Sequence, residues 1–203
     1  CRMSVAPNTL GRLDLRFLPL AATIGLFLLM GLAGSLSYTG FFSAQVFLNL
    51  LIDNAFLLIV AVGMSFVILS GGIDLSVGSV VALSTMVLAT LIEHHGWSPL
   101  PAIGVVLVMG VSFGAFMGFL IERFRLQPFI VTLAGMFLAR GLCYLISIDS
   151  ISIANEAYST LAYWRLELAE GASISLGALI AIACLALALF AAHGSTFGRT
   201  VYA

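Results

Sequence analysis

The sequence predicts an all-α, polytopic membrane bundle of about six transmembrane helices, with its N-terminus in the cytoplasm. Three observations predict it. Hydrophobic residues fill 62% of the 203 positions and charged residues only 8%, against about 25% charged in a soluble domain. A soluble chain of this size has too little interior to hide so much apolar surface, whereas lipid accepts apolar side chains on the outside as well. Six apolar segments approach the roughly 20 residues that a spanning helix requires. The arginines, finally, fall almost entirely on one side of the bundle those segments define.

The segments run in order as follows. Residues 17–36 form the first, too long for a signal-peptide core and without a small-residue cleavage site after it. Residues 46–69 form the second, interrupted by Asp53 and Asn54. Residues 75–92, 100–121 and 129–148 are the third to fifth, with Arg140 inside the fifth, and 172–192 the sixth. The connections are short except for 149–171. That stretch holds Asp149, Glu156, Arg165, Glu167 and Glu170 with Tyr158, Tyr163 and Trp164. It reads as a polar external loop with aromatic residues at the membrane interface. With the N-terminus inside, Arg2, Arg12, Arg16, Arg123, Arg125 and Arg199 are cytoplasmic and only Arg165 is external, which is the positive-inside bias. Residues 193–203 then begin a cytoplasmic stretch.

Composition excludes several chemistries. No lysine is present, so this chain carries no Walker A lysine and no Schiff-base lysine. A net charge of −1 gives no basic field for nucleic acid. Cys1, Cys143 and Cys184 are far apart, with no CxxC, and read as small apolar fillers. His94 and His95 sit together at a loop tip without further ligands spaced to join them. No nucleophile elbow, HExxH or pair of catalytic carboxylates occurs, so no catalytic, cofactor-binding or metal-ligating residues are assigned.

Three features bear on function. The run Ser70-Gly71-Gly72-Ile73-Asp74-Leu75-Ser76-Val77-Gly78-Ser79 lies between the second and third segments. Paired glycines permit backbone conformations a helix does not use, and Asp74 and Ser76 are types that cap a following helix. Two readings stand: a tight, well-capped turn, or a broken helix lining a transport cavity, where irregular backbone is tolerated at membrane depth. The second feature is charge within the membrane. At 1.5 Å per residue, Asp53 and Arg140 lie at matching depths of roughly 10–12 Å, so an intramembrane ion pair is expected, either fixing helix register or lining a pathway. The third is Gly110, Gly114 and Gly118, four residues apart, which form a groove for close helix approach.

The run Gly71-Gly72-Ile73-Asp74-Leu75-Ser76-Val77-Gly78-Ser79 resembles the signature of monosaccharide ABC-importer permeases of the ribose and galactose type. Ala61-Val62-Gly63-Met64-Ser65-Phe66-Val67-Ile68-Leu69 leads into it as in that family. Pro128-Phe129-Ile130-Val131-Thr132-Leu133-Ala134-Gly135-Met136 opens the fifth segment similarly. Phe197, Gly198 and Arg199, with the residues to Ala203, look like the start of the region that couples to the ATPase. Asp53-Asn54-Ala55-Phe56-Leu57, Phe116-Met117-Gly118, Ala134-Gly135-Met136-Phe137 with Arg140-Gly141, and Ser150-Ile151-Ser152-Ile153 resemble the galactofuranose-importing permeases in particular.

The resemblance implies a bacterial inner-membrane permease subunit moving a monosaccharide, galactofuranose-like or another sugar. Its implied partners are an ABC ATPase subunit, which binds ATP and magnesium, a periplasmic sugar-binding protein, a second permease subunit and membrane lipid. It implies no cofactor in this chain. Members of the family run on well past this point, so the chain is expected to be the N-terminal portion of a permease. Asn54, Ser65, Gly71, Gly72, Asp74, Ser76 and Thr132 are the candidate residues of the translocation path or helix break. The competing class is an ion-coupled secondary transporter using Asp53 or Asp74; an intramembrane enzyme would require a paired nucleophile and base that the sequence lacks.

Overall fold

The structure, a computed structural model, describes residues 18–169, 172–195 and 198. The chain divides into two compact units between Phe47 and Leu48. The described part of the first unit is dominated by α1 (Leu18–Ser37), apolar throughout and about 30 Å long at 1.5 Å per residue. After it, the Phe41 and Phe42 rings meet edge to face at 5.3 Å.

The second unit holds the rest of the bundle. Helix α2 (Ala44–Asp53) begins before the division, and α3 (Ala55–Leu69) follows it after a single residue, at a bend of 57°. Then come α4 (Val77–Ala89), prolonged by one π turn over Thr90–His94, α5 (Pro99–Phe124) and α6 (Pro128–Ile146). Proline opens both α5 and α6, where its missing N–H costs nothing and its fixed φ suits the first turn. Arg125 closes α5 in the left-handed region at φ 52°. The short α7 (Glu156–Ala162), the strands β1 (Arg165–Ala169) and β2 (Ala172–Ser175), and α8 (Leu176–Gly194) complete the order.

Among the described residues, five helical stretches are long and apolar enough to cross a membrane, and the bent pair α2–α3 makes a sixth if taken as one span. The fold is therefore the helical membrane bundle the composition predicts. Most large apolar side chains stay exposed, Leu145 at 83% and Leu187 at 67% among them, as they do where lipid takes the place of water.

Within the second unit the helices pack in two groups. One is α4 with α5 and α6, and α4 packs most extensively on α6. Its buried residues mix small ones (Ser79, Ala89, Ala102, Gly135, Ala139) with larger ones (Leu83, Ile92, Met117, Val131). Without a hydrophobic force between helices in lipid, small residues associate by close backbone approach. At Gly135 a Cβ would stand 2.5 Å from Met117 Sδ, so α5 and α6 meet closely there. The other group is α3 with α8, where Ala55, Ala178 and Ala181 are buried with Ile174 against Leu48, Leu51, Ile52, Leu58 and Leu179.

Three expectations are corrected. Residues 149–171 do not form one plain loop: α7 and β1 are ordered within them, and β1 pairs antiparallel with β2. Residues 172–175 belong to that hairpin, so the last helix begins at Leu176, where the Ser175 Oγ accepts the N–H of Ala178 as an N-cap. The glycine groove of α5 is not filled by another helix: a Cβ on Gly110, Gly114 or Gly118 would meet nothing within 4 Å.

Candidate functional site

The run between α3 and α4 is a break made by local chemistry. Ser70 caps α3, and Gly71 follows at φ +76°, a conformation glycine adopts without steric cost. The Gly71 N–H donates to the Ile68 carbonyl and the Gly72 N–H to the Val67 carbonyl, both at 3.0 Å. That pattern is the Schellman closure, which satisfies the last carbonyls of a helix. Gly71 supplies the left-handed residue, and Gly72 has ordinary backbone.

On the far side of the break, Asp74 and Ser76 behave differently from the expected pair of caps. Ser76 is the N-cap of α4, but its side chain accepts nothing from that helix. Instead its Oγ donates to Asp74 Oδ1 at 2.6 Å, and its N–H donates to the same oxygen at 2.8 Å. Asp74 thus closes an Asx turn on the residue that starts the helix. Ser76 is 1% exposed and has its hydroxyl satisfied; among the described residues no buried side-chain N or O lacks a partner.

The break is tied to the bundle by Thr132. This residue lies one turn into α6 and is 4% exposed. Its hydroxyl is 3.1 Å from the Ile73 carbonyl, and it also lies 2.9 Å from the Pro128 carbonyl of its own helix. The result is a cleft of about 430 Å³, within the roughly 300–1,000 Å³ range of ligand sites. Ser70, Gly71, Gly72, Asp74 and Thr132 line it, facing Gly114 and Gly118 of α5. The unfilled glycine stripe therefore opens onto the break, which explains why no helix packs on this part of it.

The other expected residues lie elsewhere. Ser65 donates to the Ala61 carbonyl at 2.8 Å and lines a separate groove between α3 and α8, beside His193. Asn54 marks the second break, between α2 and α3. Its Nδ2 donates to the Leu50 carbonyl at 2.8 Å, and its own backbone N–H donates to that same carbonyl at 3.2 Å. Asp53 and Arg140 are not brought together. Asp53 ends α2, Arg140 is on the face of α6 that stays exposed, and neither carries an ion pair among the described residues. Their helices fall in different packing neighbourhoods, so equal depth along the sequence did not translate into proximity. Phe197 and Arg199 lie outside the described residues; the Gly198 N–H donates to Ser195 Oγ at 3.4 Å.

Sequence reasoning missed Glu93, in the π turn that ends α4. Its Oε1 accepts the N–H of Ala154 at 2.7 Å and of Asn155 at 3.1 Å, across 61 residues of chain. The signal available was a lone carboxylate closing an apolar helix, which the neighbouring His94-His95 pair overshadowed. His95 Nδ1 itself lies 3.2 Å from the Thr90 carbonyl of the same turn.

Among the described residues, a helical membrane bundle with one bent span and a polar turn facing a cleft has the build of a membrane transport protein, and the comparison with known families makes it a permease. The chain belongs to the family described as the permease component of the branched-chain amino acid transport system, whose model matches residues 46–203. It is 50% identical over 188 residues to the inner membrane ABC transporter permease protein YjfF of Escherichia coli (strain K12), covering 93% of this chain and 57% of that protein. It is 35% identical over 204 residues to the fructose import permease protein FruG of Bifidobacterium longum (strain NCC 2705), covering 98% of this chain and 60% of that one. The ribose import permease protein RbsC of Escherichia coli (strain K12) is 39% identical over 118 residues, 58% of this chain and 36% of the relative. The chain thus spans less than two thirds of the length of these relatives. No solved structure matches it.

Proposed function

We propose that this chain forms part of the permease of a binding-protein-dependent ABC importer that carries a monosaccharide across the bacterial inner membrane. The observation that carries the reading is the cleft at the α3–α4 break. Its walls offer the Asp74 carboxylate, the Ser70 hydroxyl and the backbone of Gly71 and Gly72, the small polar set a hydroxylated ligand needs. The names of the fructose and ribose relatives support a sugar as cargo. The likeness of the 53–57, 116–118 and 134–141 runs to galactofuranose-importing permeases makes a galactofuranose-like sugar the first substrate to try.

In this reading the N-terminus is cytoplasmic and the cleft, near Arg123 and Arg125, faces the cytoplasmic side. ATP and magnesium sit on a separate ATPase subunit that docks around Phe197, Gly198 and Arg199. A periplasmic binding protein delivers the sugar to the opposite end, and a second permease subunit completes the path. Asn54 marks the bend of one span and Gly71 the turn between two, the two places proposed to give way as that path opens and closes. A secondary transporter coupled through Asp53 or Asp74 has no observation in its favour.

Cysteine protection tests the cleft. Gly114→Cys, in a permease whose native cysteines are replaced, puts a thiol in open space on the cleft wall. The thiol is expected to react with a small maleimide, the transported sugar to slow that reaction, and labelling to block uptake. Labelling that leaves uptake intact places the path elsewhere.

A further inference from the structure

The two helix groups of the second unit meet through chain connections at both ends. At the cleft end, the 70–76 break joins α3 to α4. At the other end, α7 packs on α8, while the residues that precede α7 are held by Glu93 of α4. Only sparse helix–helix packing lies between the groups. Glu93 therefore ties the α4–α5–α6 group by its side chain to the segment that packs on α8.

The contact is built rather than incidental. The π turn adds a residue at the end of α4, with the His95 N–H reaching the Thr90 carbonyl at 3.2 Å. Such insertions rotate the residues after them and are frequent at functional positions. Ile92, 2% exposed, anchors the turn, and Glu93 beside it is half-buried. One carboxylate oxygen takes both N–H groups, and Asn155 goes on to cap α7 through its own Oδ1, which accepts the Tyr158 N–H at 3.1 Å. Bonds to an ionised acceptor are roughly twice as strong as neutral ones.

We infer that Glu93 is a positioning residue for transport: it clamps the 154–162 segment to α4, so that movement of the α4–α5–α6 group is passed to the segment that packs on α8. The inference rests on the importer reading above, because it concerns how an ATP-driven stroke passes through this chain.

The test uses the complete importer, the full-length permease with its ATPase subunits and binding protein, in proteoliposomes. The quantity read is sugar transported per ATP hydrolysed. A folding defect lowers uptake and ATPase together and leaves this ratio unchanged. Glu93→Ala is expected to lower the ratio about tenfold, the scale of losing a charge-assisted pair of bonds. Glu93→Gln, which keeps the acceptor oxygen, should stay within about threefold of the wild type. Ala154→Pro removes one donor from the loop side and should lower the ratio too, and adding it to Glu93→Ala should do no further harm. Hydrogen exchange at Ala154 and Asn155 should quicken in Glu93→Ala. An unchanged ratio in Glu93→Ala, or independent additive losses in the double variant, overturns the clamp. A wild-type importer with no ATP-dependent uptake overturns instead the reading beneath it.

Discussion

At the scale of single residues, the site depends on a few atoms with more than one duty. Asp74 Oδ1 takes both the N–H and the hydroxyl of Ser76, so one oxygen fixes the first residue of α4 and satisfies a buried hydroxyl. Asp74→Ala leaves that hydroxyl without its acceptor, at a cost of about 1–3 kcal/mol. Asp74→Asn keeps an oxygen in the same place. Uptake normalised to permease abundance should therefore fall more for Ala than for Asn, and equal wild-type uptake in both would remove the turn from the mechanism. Gly71 has a different duty, set by its φ of +76°. Gly71→Ala should destabilise the α3–α4 junction by about 1 kcal/mol or more, with Gly71→Asn milder, as read from thermal unfolding in detergent. A junction indifferent to both would mean that the break does not require the left-handed residue. These assignments were partly legible in the sequence. The residue types of the break announced a turn, but which oxygen serves which donor depends on the fold, and Ser76 proved a donor where an acceptor was expected.

At the scale of elements, the bends decide what the helices enclose. The α2–α3 bend of 57° falls at Asn54, whose side chain and backbone both donate to the Leu50 carbonyl. Side-chain bonds to the preceding turn compete with the regular ladder and bend helices. Asn54→Leu should straighten the pair, read as a longer distance between spin labels at positions 48 and 69; an unchanged distance would assign the bend to packing instead. That the chain is a bundle of apolar helices, five long ones and a bent pair among the described residues, followed from apolar runs alone, because lipid leaves little else that can cross it. What was not legible was pairing. Asp53 and Arg140 sit at matching depth in sequence, yet depth says nothing of which helix neighbours which. The glycines of α5 were expected to face another helix, but Gly114 and Gly118 border a cleft and a Cβ on Gly110 would meet nothing within 4 Å. The β1–β2 hairpin had a signal in the alternation of Arg165, Leu166, Glu167 and Leu168, which the charge content of that stretch masked.

At the scale of the whole molecule, the second unit is two helix groups joined at both ends, with a polar cleft at one end and the Glu93 clamp at the other. Such an arrangement suits a part that must change shape on demand: more packing lies within each group than between them. These 203 residues carry no lysine with which to cradle a nucleotide phosphate, so the proposed ATP-driven stroke is supplied outside them. The most direct test is therefore the energy source of uptake. Labelled monosaccharide entry would be measured in vesicles carrying the full-length permease with and without its ATPase subunits, and with and without a protonophore. The account expects entry that requires ATP and the ATPase subunits and survives the protonophore. Entry that persists without the ATPase subunits and collapses with the proton gradient would contradict it.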